Sequence, residues 1–346
     1  MRYRLAFVGF GRVAQGFAKI LVEKRADLKR RFDLDYELVA IADAAMGSVM
    51  SGGGLRLEKL LSLVHEKGSI ENCSEGRKGL SPLETIAQTN ANVLIETTWT
   101  NLKDGEPGLS HIRKALSRGM HVVTTNKGPI ALAYHELAAQ ARRRDVHLRF
   151  EGTVLSGTPV ISLTQENLAG SKINSIRGIL NGTTNFILDE MAAGKTYAQA
   201  LEKAQELGYA EADPSGDTEG WDSAAKVTIL ANVVMGGKVK LADVRREGIT
   251  GITVQDIRDA QAAGKKMRLV AKACRDNGMI GAQVIPERLD GSDLLSHVSG
   301  VLNAVTISTD VQPEVTIVGP GAGGDSAGYA LLSDLLAVNR AMSNKS

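Results

Sequence analysis

The residues best suited to chemistry are densest between Gly208 and Lys226. Within this segment, Asp222 and Lys226 are four residues apart, a spacing that places both side chains on one face of a helix. The rest of that helix is mostly apolar, which predicts a buried element whose charges line a pocket or are paired. A surface ion pair worth only about 0.3–0.5 kcal/mol is the simpler alternative.

A lysine beside a carboxylate suits the reduction of an aldehyde by hydride transfer. The transfer places negative charge on the carbonyl oxygen, and an ammonium group can stabilise that charge and supply the proton. In this interpretation Asp222 orients Lys226, and Glu211 holds a substrate ammonium group. We expect Asp217 to be the N-cap of the helix, which we place at about residues 218–235.

A glycine-rich turn near the amino terminus predicts a dinucleotide site. It lies between an apolar strand, residues 5–8, and an amphipathic helix, residues 13–24. Gly9 permits the tight turn, Gly11 allows a pyrophosphate to approach the backbone, and Ala14 permits close packing of helix on strand. A purely structural turn is the alternative. The predicted cofactor contacts here are Gly9, Phe10, Gly11, Arg12 and Val13.

Asp43 ends the second predicted strand, residues 36–42, and follows Gly9 by 34 residues. A carboxylate at this point can accept hydrogen bonds from the adenosine ribose and would repel a 2′-phosphate, which favours NAD. Arg12 can still attract that phosphate, so NADP stays open. Asp43 can alternatively be a turn or capping aspartate.

Four other polar or glycine-rich segments are candidates for ligand contacts. Two of them, residues 97–101 and 124–129, follow predicted strands. Because an open α/β sheet binds its ligands beyond the carboxyl ends of its strands, we expect Thr97, Thr98 and Lys127 to lie beside the cofactor. The other two, residues 181–185 and 319–325, suit a polar substrate and a close approach to the cofactor, with Thr183 and Gly321 as contacts. Ordinary turns remain the alternative for both.

The elements that carry these residues predict an α/β protein. Strands alternate with helices up to about residue 150, which indicates a Rossmann-like doubly wound parallel sheet. The pattern then changes to that of an α+β domain. We therefore place a dinucleotide-binding domain at residues 1–150, a catalytic and dimerisation domain at 151–317, and a returning segment at 318–346.

Composition excludes several other classes of function. A net charge of +2 and an aromatic content of 4% argue against nucleic-acid and membrane partners. Two cysteines, Cys73 and Cys274, cannot form a disulfide framework, and the six histidines lack metal-ligand spacing. We expect a cytoplasmic protein without a catalytic transition metal that acts on a small molecule.

Taken together, the motifs resemble those of homoserine dehydrogenases. The matching segments occur in the family's order and span nearly the whole chain; they are residues 9–13, 124–127, 151–159, 178–185, 208–226 and 319–323. Residues 178–185 and 208–226 are the most specific. The chain resembles the short form of the family, without a C-terminal ACT domain, so threonine feedback through such a domain is not expected.

The resemblance implies interconversion of aspartate 4-semialdehyde and homoserine, on the route to threonine and methionine, by a homodimer. It implies that Lys226 is the proton donor, that Lys127 lies by cofactor and substrate, and that the 208–226 segment contacts the substrate. It also implies a monovalent cation, often sodium, bound largely by main-chain carbonyls. The implied substrate contacts are Gly208, Tyr209, Glu211, Asp217 and Asp222, and the implied cation ligands are Glu151, Val154, Ser156 and Thr158.

Two other functions fit parts of the sequence. A dehydrogenase of the sugar-dehydrogenase type would share the glycine turn and a lysine after a strand, but would not need Glu211, Asp222 and Lys226 together. A protein that senses NAD(P) without turning it over would need only the first domain. The cofactor preference and the physiological direction stay open.

Overall fold

A computed structural model describes residues 2–344, which divide into two compact units. The first comprises residues 2–157 and 323–344, and the second comprises residues 158–322. Both boundaries lie a few residues beyond those expected from the sequence. The first unit extends through Gly157, whose backbone N–H donates to Ser326 Oγ (3.1 Å). The second extends past residue 317, because its last strand ends at Pro320.

The first unit contains seven strands and seven helices in the described residues. The strands are β1 (Arg2–Val8), β2 (Asp35–Asp43), β3 (Gly47–Leu55), β4 (Arg77–Lys78), β5 (Val93–Glu96), β6 (His121–Thr124) and β7 (Leu148–Arg149). The helices are α1 (Arg12–Glu23), α2 (Arg25–Phe32), α3 (Leu57–Lys67), α4 (Pro82–Gln88), α5 (Gly108–Ser117), α6 (Lys127–Arg143) and, at the end of the chain, α12 (Gly324–Ser343).

The seven strands form one sheet in the order β4-β3-β2-β1-β5-β6-β7. Strands β2, β1, β5, β6 and β7 are parallel, and β3 and β4 are antiparallel additions at one edge. The central parallel strands β1, β5 and β6 are mostly apolar and buried, as expected where helices cover both faces of a sheet. The predicted Rossmann-like doubly wound fold is therefore confirmed.

Helix α12 completes the core of the first unit. Leu331, Leu335 and Val338 are fully buried in the cluster that also contains Phe17 and Leu21 of α1. The two helices approach closely, since a Cβ built on Gly328 would lie 2.6 Å from the Phe17 backbone nitrogen. The returning segment expected from the sequence therefore contributes a helix to the core of the first unit.

The second unit contains six strands and five α-helices in the described residues. The strands are β8 (Ile173–Ile179), β9 (Arg245–Arg246), β10 (Lys265–Asp276), β11 (Met279–Asp290), β12 (Leu302–Thr309) and β13 (Glu314–Pro320). The longer helices are α7 (Gly182–Ala192), α8 (Tyr197–Glu206), α10 (Trp221–Val233) and α11 (Val254–Ala262). The remaining helix, α9 (Ser215–Thr218), directly precedes α10 in the chain and is a single turn.

The sheet of the second unit has the order β13-β12-β8-β10-β11-β9 and is antiparallel except where β9 pairs with β11. Its strands and helices confirm the predicted α+β character. Helix α10 is buried at every position from Ser223 to Asn232. A helix that is buried around its whole circumference must be surrounded by other elements of the unit.

A buried ion pair joins the sheet of this unit to helix α7. Arg268 of β10 is 1% exposed, and its Nη2 lies 2.8 Å from Asp189 Oδ1. Asp189 also accepts a hydrogen bond from the backbone N–H of Gly300 (2.7 Å). The carboxylate therefore compensates a guanidinium group that has lost its contact with water.

Three segments differ from what their local sequence favours. Residues 51–54, a serine followed by three glycines, are typical of a loop but belong to strand β3. Gly128 and Pro129, a pair that is common in turns, lie in the first turn of α6, where proline needs no hydrogen-bonded N–H. Asp217 does not cap α10: the cap is Gly220 at φ +82°, and Asp217 lies in the preceding turn α9.

In the described part of the chain, no helix is both long and apolar enough to span a membrane.

Candidate active-site residues

The glycine turn of the first unit has the geometry of a dinucleotide-binding turn. Gly9 adopts φ +84°, and a Cβ at this position would lie 2.7 Å from the carbonyl carbon of Thr97. Both the backbone conformation and the close contact therefore require glycine. Among the described residues, nothing lies within 4 Å of a Cβ built on Gly11. The backbone there is open to a ligand, and Arg12 begins the helix whose N-terminus favours anions.

Asp43 is held against this turn. Its Oδ2 accepts a hydrogen bond from the Phe10 backbone N–H (2.7 Å), and its Oδ1 accepts from the backbone N–H groups of Ala45 (2.8 Å) and Met46 (2.9 Å). The capping interpretation is therefore part of its role. Each carboxylate oxygen can accept more than one hydrogen bond, so the ribose interpretation is compatible with these contacts.

The ends of β5 and β6 bring Thr97 and Thr98 near the loop before Lys127. Asn126 caps α6 and donates from Nδ2 to Thr98 Oγ1 (3.3 Å) and to the Trp99 carbonyl (3.2 Å). Lys127 is the first residue of α6 and is half-buried. Sequence reasoning overlooked Glu96, the fully buried last residue of β5. A charged residue at the end of an otherwise apolar strand was the available signal.

The second unit assembles Lys226 and Asp222 as predicted. Lys226 Nζ donates to Asp222 Oδ2 (2.6 Å) and to the carbonyl oxygen of Leu180 (2.6 Å). The lysine residue is 6% exposed. A surface ion pair is thereby excluded, and the ammonium group is fixed by an anion and a main-chain dipole from the loop after β8.

Asn181 connects the acids of this cluster. Its Nδ2 donates to Asp217 Oδ1 (2.6 Å) and to Asp222 Oδ2 (3.0 Å), while its Oδ1 accepts from the Thr184 backbone N–H and caps α7. Burial and repulsion from Asp222 raise the pKa of Asp217, opposed by the hydrogen bonds from Asn181 and Thr183 and by the charge of Lys226. Asn181 was noted in the sequence as a capping or recognition residue, but its bridging position could not be foreseen.

The remaining predicted substrate contacts lie on the loop after α8. Thr183 Oγ1 donates to the Tyr209 carbonyl (2.7 Å), which ties this loop to the start of α7. Gly208 and Tyr209 are exposed, and the Tyr209 ring packs edge-on against Phe186. Glu211 is exposed as well, and its backbone carbonyl accepts from Gln205 Nε2 (3.0 Å). The structure thus joins Asp217, Asp222 and Lys226 but leaves the Glu211 side chain at the surface.

Gly321 lies in the second unit, just after β13. A Cβ at this position would overlap the side chain of Asn303 on the neighbouring strand β12. The group that lies close to the Gly321 backbone is therefore the Asn303 side chain. A contact between Gly321 and the cofactor stays a prediction.

Three of the four predicted cation ligands lie in one turn of the first unit, and Thr158 belongs to the second unit. Leu155 and Ser156 both adopt left-handed conformations, at φ 55° and 52°, which non-glycine residues rarely do. Ser156 Oγ is buried without a hydrogen-bond partner among the described residues. The turn is therefore strained, and one of its buried hydroxyls is unsatisfied within the described part of the chain. No group of three or more His, Cys, Asp or Glu side chains within residues 2–344 is arranged for a metal ion.

Glu151 begins this turn and lies beside Asp334 of α12, so that two buried acidic residues are neighbours. Its backbone N–H donates to Asp334 Oδ2 (2.8 Å), and both residues are buried. Burial and the nearby Glu151 carboxylate raise the pKa of Asp334 well above its usual value. The hydrogen bond from Glu151 and the charge of Arg149 act in the opposite direction.

We expect stability to fall with rising pH because of Asp334. Above the unfolded pKa of about 3.9, the unfolded chain releases a proton that the folded protein retains, so unfolding becomes more favourable until the raised folded pKa is passed. Asp334→Asn keeps an acceptor for the Glu151 N–H and removes this titration. Its stability advantage over the parent in chemical denaturation should grow as the pH is raised above about 4, the unfolded pKa. Asp325→Asn, exposed on the same helix, is the control; equal pH slopes for parent and Asp334→Asn would contradict the assignment.

Comparison with family descriptions matches both units of the chain. Residues 9–151 match the model described as homoserine dehydrogenase, NAD binding domain, and residues 159–336 match the model described as homoserine dehydrogenase. The latter covers about half of the chain by itself.

Characterised relatives and solved structures agree with this match. The chain is 41% identical to the NAD(+)-dependent homoserine dehydrogenase of Pseudomonas canavaninivorans, over 99% of this chain and 98% of that protein. It is 39% identical to homoserine dehydrogenase of Methanocaldococcus jannaschii, over 96% and 97%. A crystal structure of a homoserine dehydrogenase from Thiobacillus denitrificans superposes with a TM-score of 0.86, at 30% identity over 99% of this chain and 74% of that chain. A hyperthermophilic archaeal homoserine dehydrogenase in complex with NADPH gives 0.84, at 30% identity over 99% and 98%.

Proposed function

Because the chain belongs to the homoserine dehydrogenase family, we propose that it interconverts L-aspartate 4-semialdehyde and L-homoserine with NAD(P)H or NAD(P)⁺. The observation that carries this proposal is the Lys226 ammonium group, buried on α10 between Asp222 and the Leu180 carbonyl. A buried, oriented cation is what an aldehyde oxygen needs as negative charge develops on it.

The first unit supplies the dinucleotide site in this proposal. The backbone at Gly9, Phe10 and Gly11 and the first residues of α1, Arg12 and Val13, hold the pyrophosphate, and Asp43 accepts hydrogen bonds from the ribose. Thr97, Thr98 and Lys127 contact the cofactor from the ends of β5 and β6. The dinucleotide supplies the hydride for reduction, or accepts it in the reverse direction.

The second unit supplies substrate recognition and the proton. Asp217 and Asp222 attract the substrate ammonium group, with Glu211, Thr183, Gly208 and Tyr209 as further contacts. Lys226 donates a proton to the alkoxide oxygen and becomes a neutral amine, which regains a proton from water. Asn181 donates a hydrogen bond to Asp217 and to Asp222, which reduces the repulsion between the two carboxylates.

Two accessory features belong to the same proposal. The carbonyls of Glu151, Val154 and Ser156 bind a monovalent cation that stabilises the strained turn, as its two left-handed residues support; Thr158 stays a predicted ligand. A second copy of the chain forms a homodimer, supported by exposed apolar side chains of the second unit such as Leu302 and Val318. Activity in the cytoplasm, on the route to threonine and methionine, is inferred from the family.

Steady-state assays with the full chain test the proposed reaction. We expect oxidation of NADH on addition of aspartate 4-semialdehyde, with NADH used at least as well as NADPH because Asp43 disfavours a 2′-phosphate. Succinic semialdehyde is the matched control substrate, since it has the same carbon chain and carboxylate without the amino group that the acids would hold. Binding of NADH without turnover of aspartate 4-semialdehyde would contradict the proposal and favour a sensor. Equal rates with both aldehydes would contradict the role given to Asp217 and Asp222.

A further inference from the structure

We propose that Glu96 is a positioning residue that holds in register the three loops that receive the dinucleotide. The inference rests on the proposed function, because it assigns the role of these loops to cofactor binding. It concerns a residue that neither the glycine turn nor the lysine motif includes.

Glu96 lies at the centre of the sheet's carboxyl edge. It is the last residue of β5, opposite Val8 of β1 on one side and Thr124 of β6 on the other. Strands β2 to β4 lie on one side of β1, and β5 to β7 lie on the other, so the strand order reverses between β1 and β5. Sheets of this type bind ligands in the crevice beyond the strands where the order reverses. The residue is completely buried, 0% exposed.

The carboxylate is bound by donors from two loops. Oε1 accepts from the Thr98 backbone N–H (3.1 Å) and from the Thr98 hydroxyl, and Oε2 accepts from Thr124 Oγ1 (3.0 Å). His111 Nδ1 of α5 lies 3.6 Å from Oε1, on the helix behind the strand. Burying a carboxylate is costly, and it persists where such donors replace water.

The hydrogen bonds continue from both partners of Glu96 into the predicted cofactor contacts. Thr124 Oγ1 accepts from the Asn126 backbone N–H (3.0 Å), just before Lys127, and Asn126 Nδ2 returns to Thr98 Oγ1. Thr97, the residue before Thr98, contacts the glycine turn after β1, because its Oγ1 donates to the Gly9 carbonyl (3.0 Å). Glu96 thus holds Thr98 after β5 and Thr124 at the end of β6, and Thr97, next to Thr98, connects them to the glycine turn after β1.

A carboxylate suits this arrangement because it is purely an acceptor, and both of its oxygens face donors here. A glutamine has nearly the same shape but presents an NH₂ group on one side. With that group toward Thr124, the NH₂ can donate to Thr124 Oγ1 but cannot accept its proton, so the O–H of this fully buried threonine loses its acceptor. With that group toward Thr98, the Thr98 backbone N–H loses its acceptor instead.

The test measures dinucleotide affinity separately from catalysis. NADH binding to the full chain, followed by nucleotide fluorescence, should weaken by about tenfold in Glu96→Gln and in Thr124→Val, as expected for one buried hydrogen bond lost. At saturating NADH, the KM for aspartate 4-semialdehyde should stay within about twofold of the parent, because the second unit is untouched. The control is Thr85→Val, which removes a buried hydroxyl without a hydrogen-bond partner among the described residues of the same unit.

The outcomes separate this inference from the proposed function. If the parent binds NADH and both variants bind it equally well, Glu96 is not a positioning residue, whereas the proposed function stands. If Thr85→Val weakens binding as much as Thr124→Val, the effect reflects general loss of packing, which also overturns the inference. Thermal unfolding measured in parallel shows whether each variant is folded during the titration. A parent that binds no NADH would contradict the proposed function itself.

Discussion

Lys226→Met is expected to lower kcat by roughly 10²- to 10⁴-fold, the usual contribution of a positioned proton donor. The substitution retains the apolar stem that packs in α10 and removes the ammonium group held by Asp222 and Leu180. NADH affinity should not change, because the predicted dinucleotide contacts other than Gly321 belong to the first unit. Steady-state rates and NADH titration of the same preparation give the two measurements.

Lys226→Arg separates proton donation from charge. Arginine keeps a positive charge beside Asp222 but does not release a proton near neutral pH. We expect it to be nearly as inactive as the methionine variant, while Lys203→Met, a surface lysine paired with Glu190, should retain parental kcat. Normal turnover by either Lys226 variant would show that another group donates the proton.

Asp189→Ala is expected to destabilise the second unit by about 3 kcal/mol, the lower end of the range for breaking a buried ion pair. The lower end applies because the Asp189 side chain is 27% exposed, whereas Arg268, which would be left without its anion, is 1% exposed. The Gly300 N–H would lose its acceptor in the same variant. Urea denaturation followed by circular dichroism gives the change in unfolding free energy.

The neighbouring residue supplies the control for this measurement. Glu190 also forms ion pairs, with Lys195 and Lys203, but these lysines are 37% and 40% exposed at their side chains. Glu190→Ala should therefore cost less than about 1 kcal/mol. Equal destabilisation by the two substitutions would show that burial of Arg268 does not set the strength of its pair.

Local patterns were sufficient to predict the elements that carry the chemistry. The apolar run before Gly9 and the amphipathic helix after it define one βα unit, and the apolar runs before Thr97 and Thr124 define two more strands. Their parallel order follows from the alternation of strands and helices. Asp222 and Lys226 share a helix face because their spacing is four residues, and the structure confirms their contact.

What the sequence could not provide is contact between distant segments. The bridge from Asn181 to Asp217 and Asp222 spans about forty residues and depends on how α7 and α10 pack on one sheet. Asp217 was assigned as a helix cap because local preference favours aspartate there, but the chain inserts the single turn α9 and caps α10 with Gly220. Glu96 escaped notice because one charged residue at the end of an apolar strand has no local partner.

The return of the chain to its first unit sets the order in which the protein can mature during synthesis. Helix α12 covers α1 with fully buried leucines, yet it is translated after all of the second unit. The continuous segment 158–322 can finish folding as it leaves the ribosome, whereas residues 2–157 must wait with an apolar helix face uncovered. Nascent chains halted within the second unit would consequently expose that face to chaperones, and release of the terminal helix would remove the exposure.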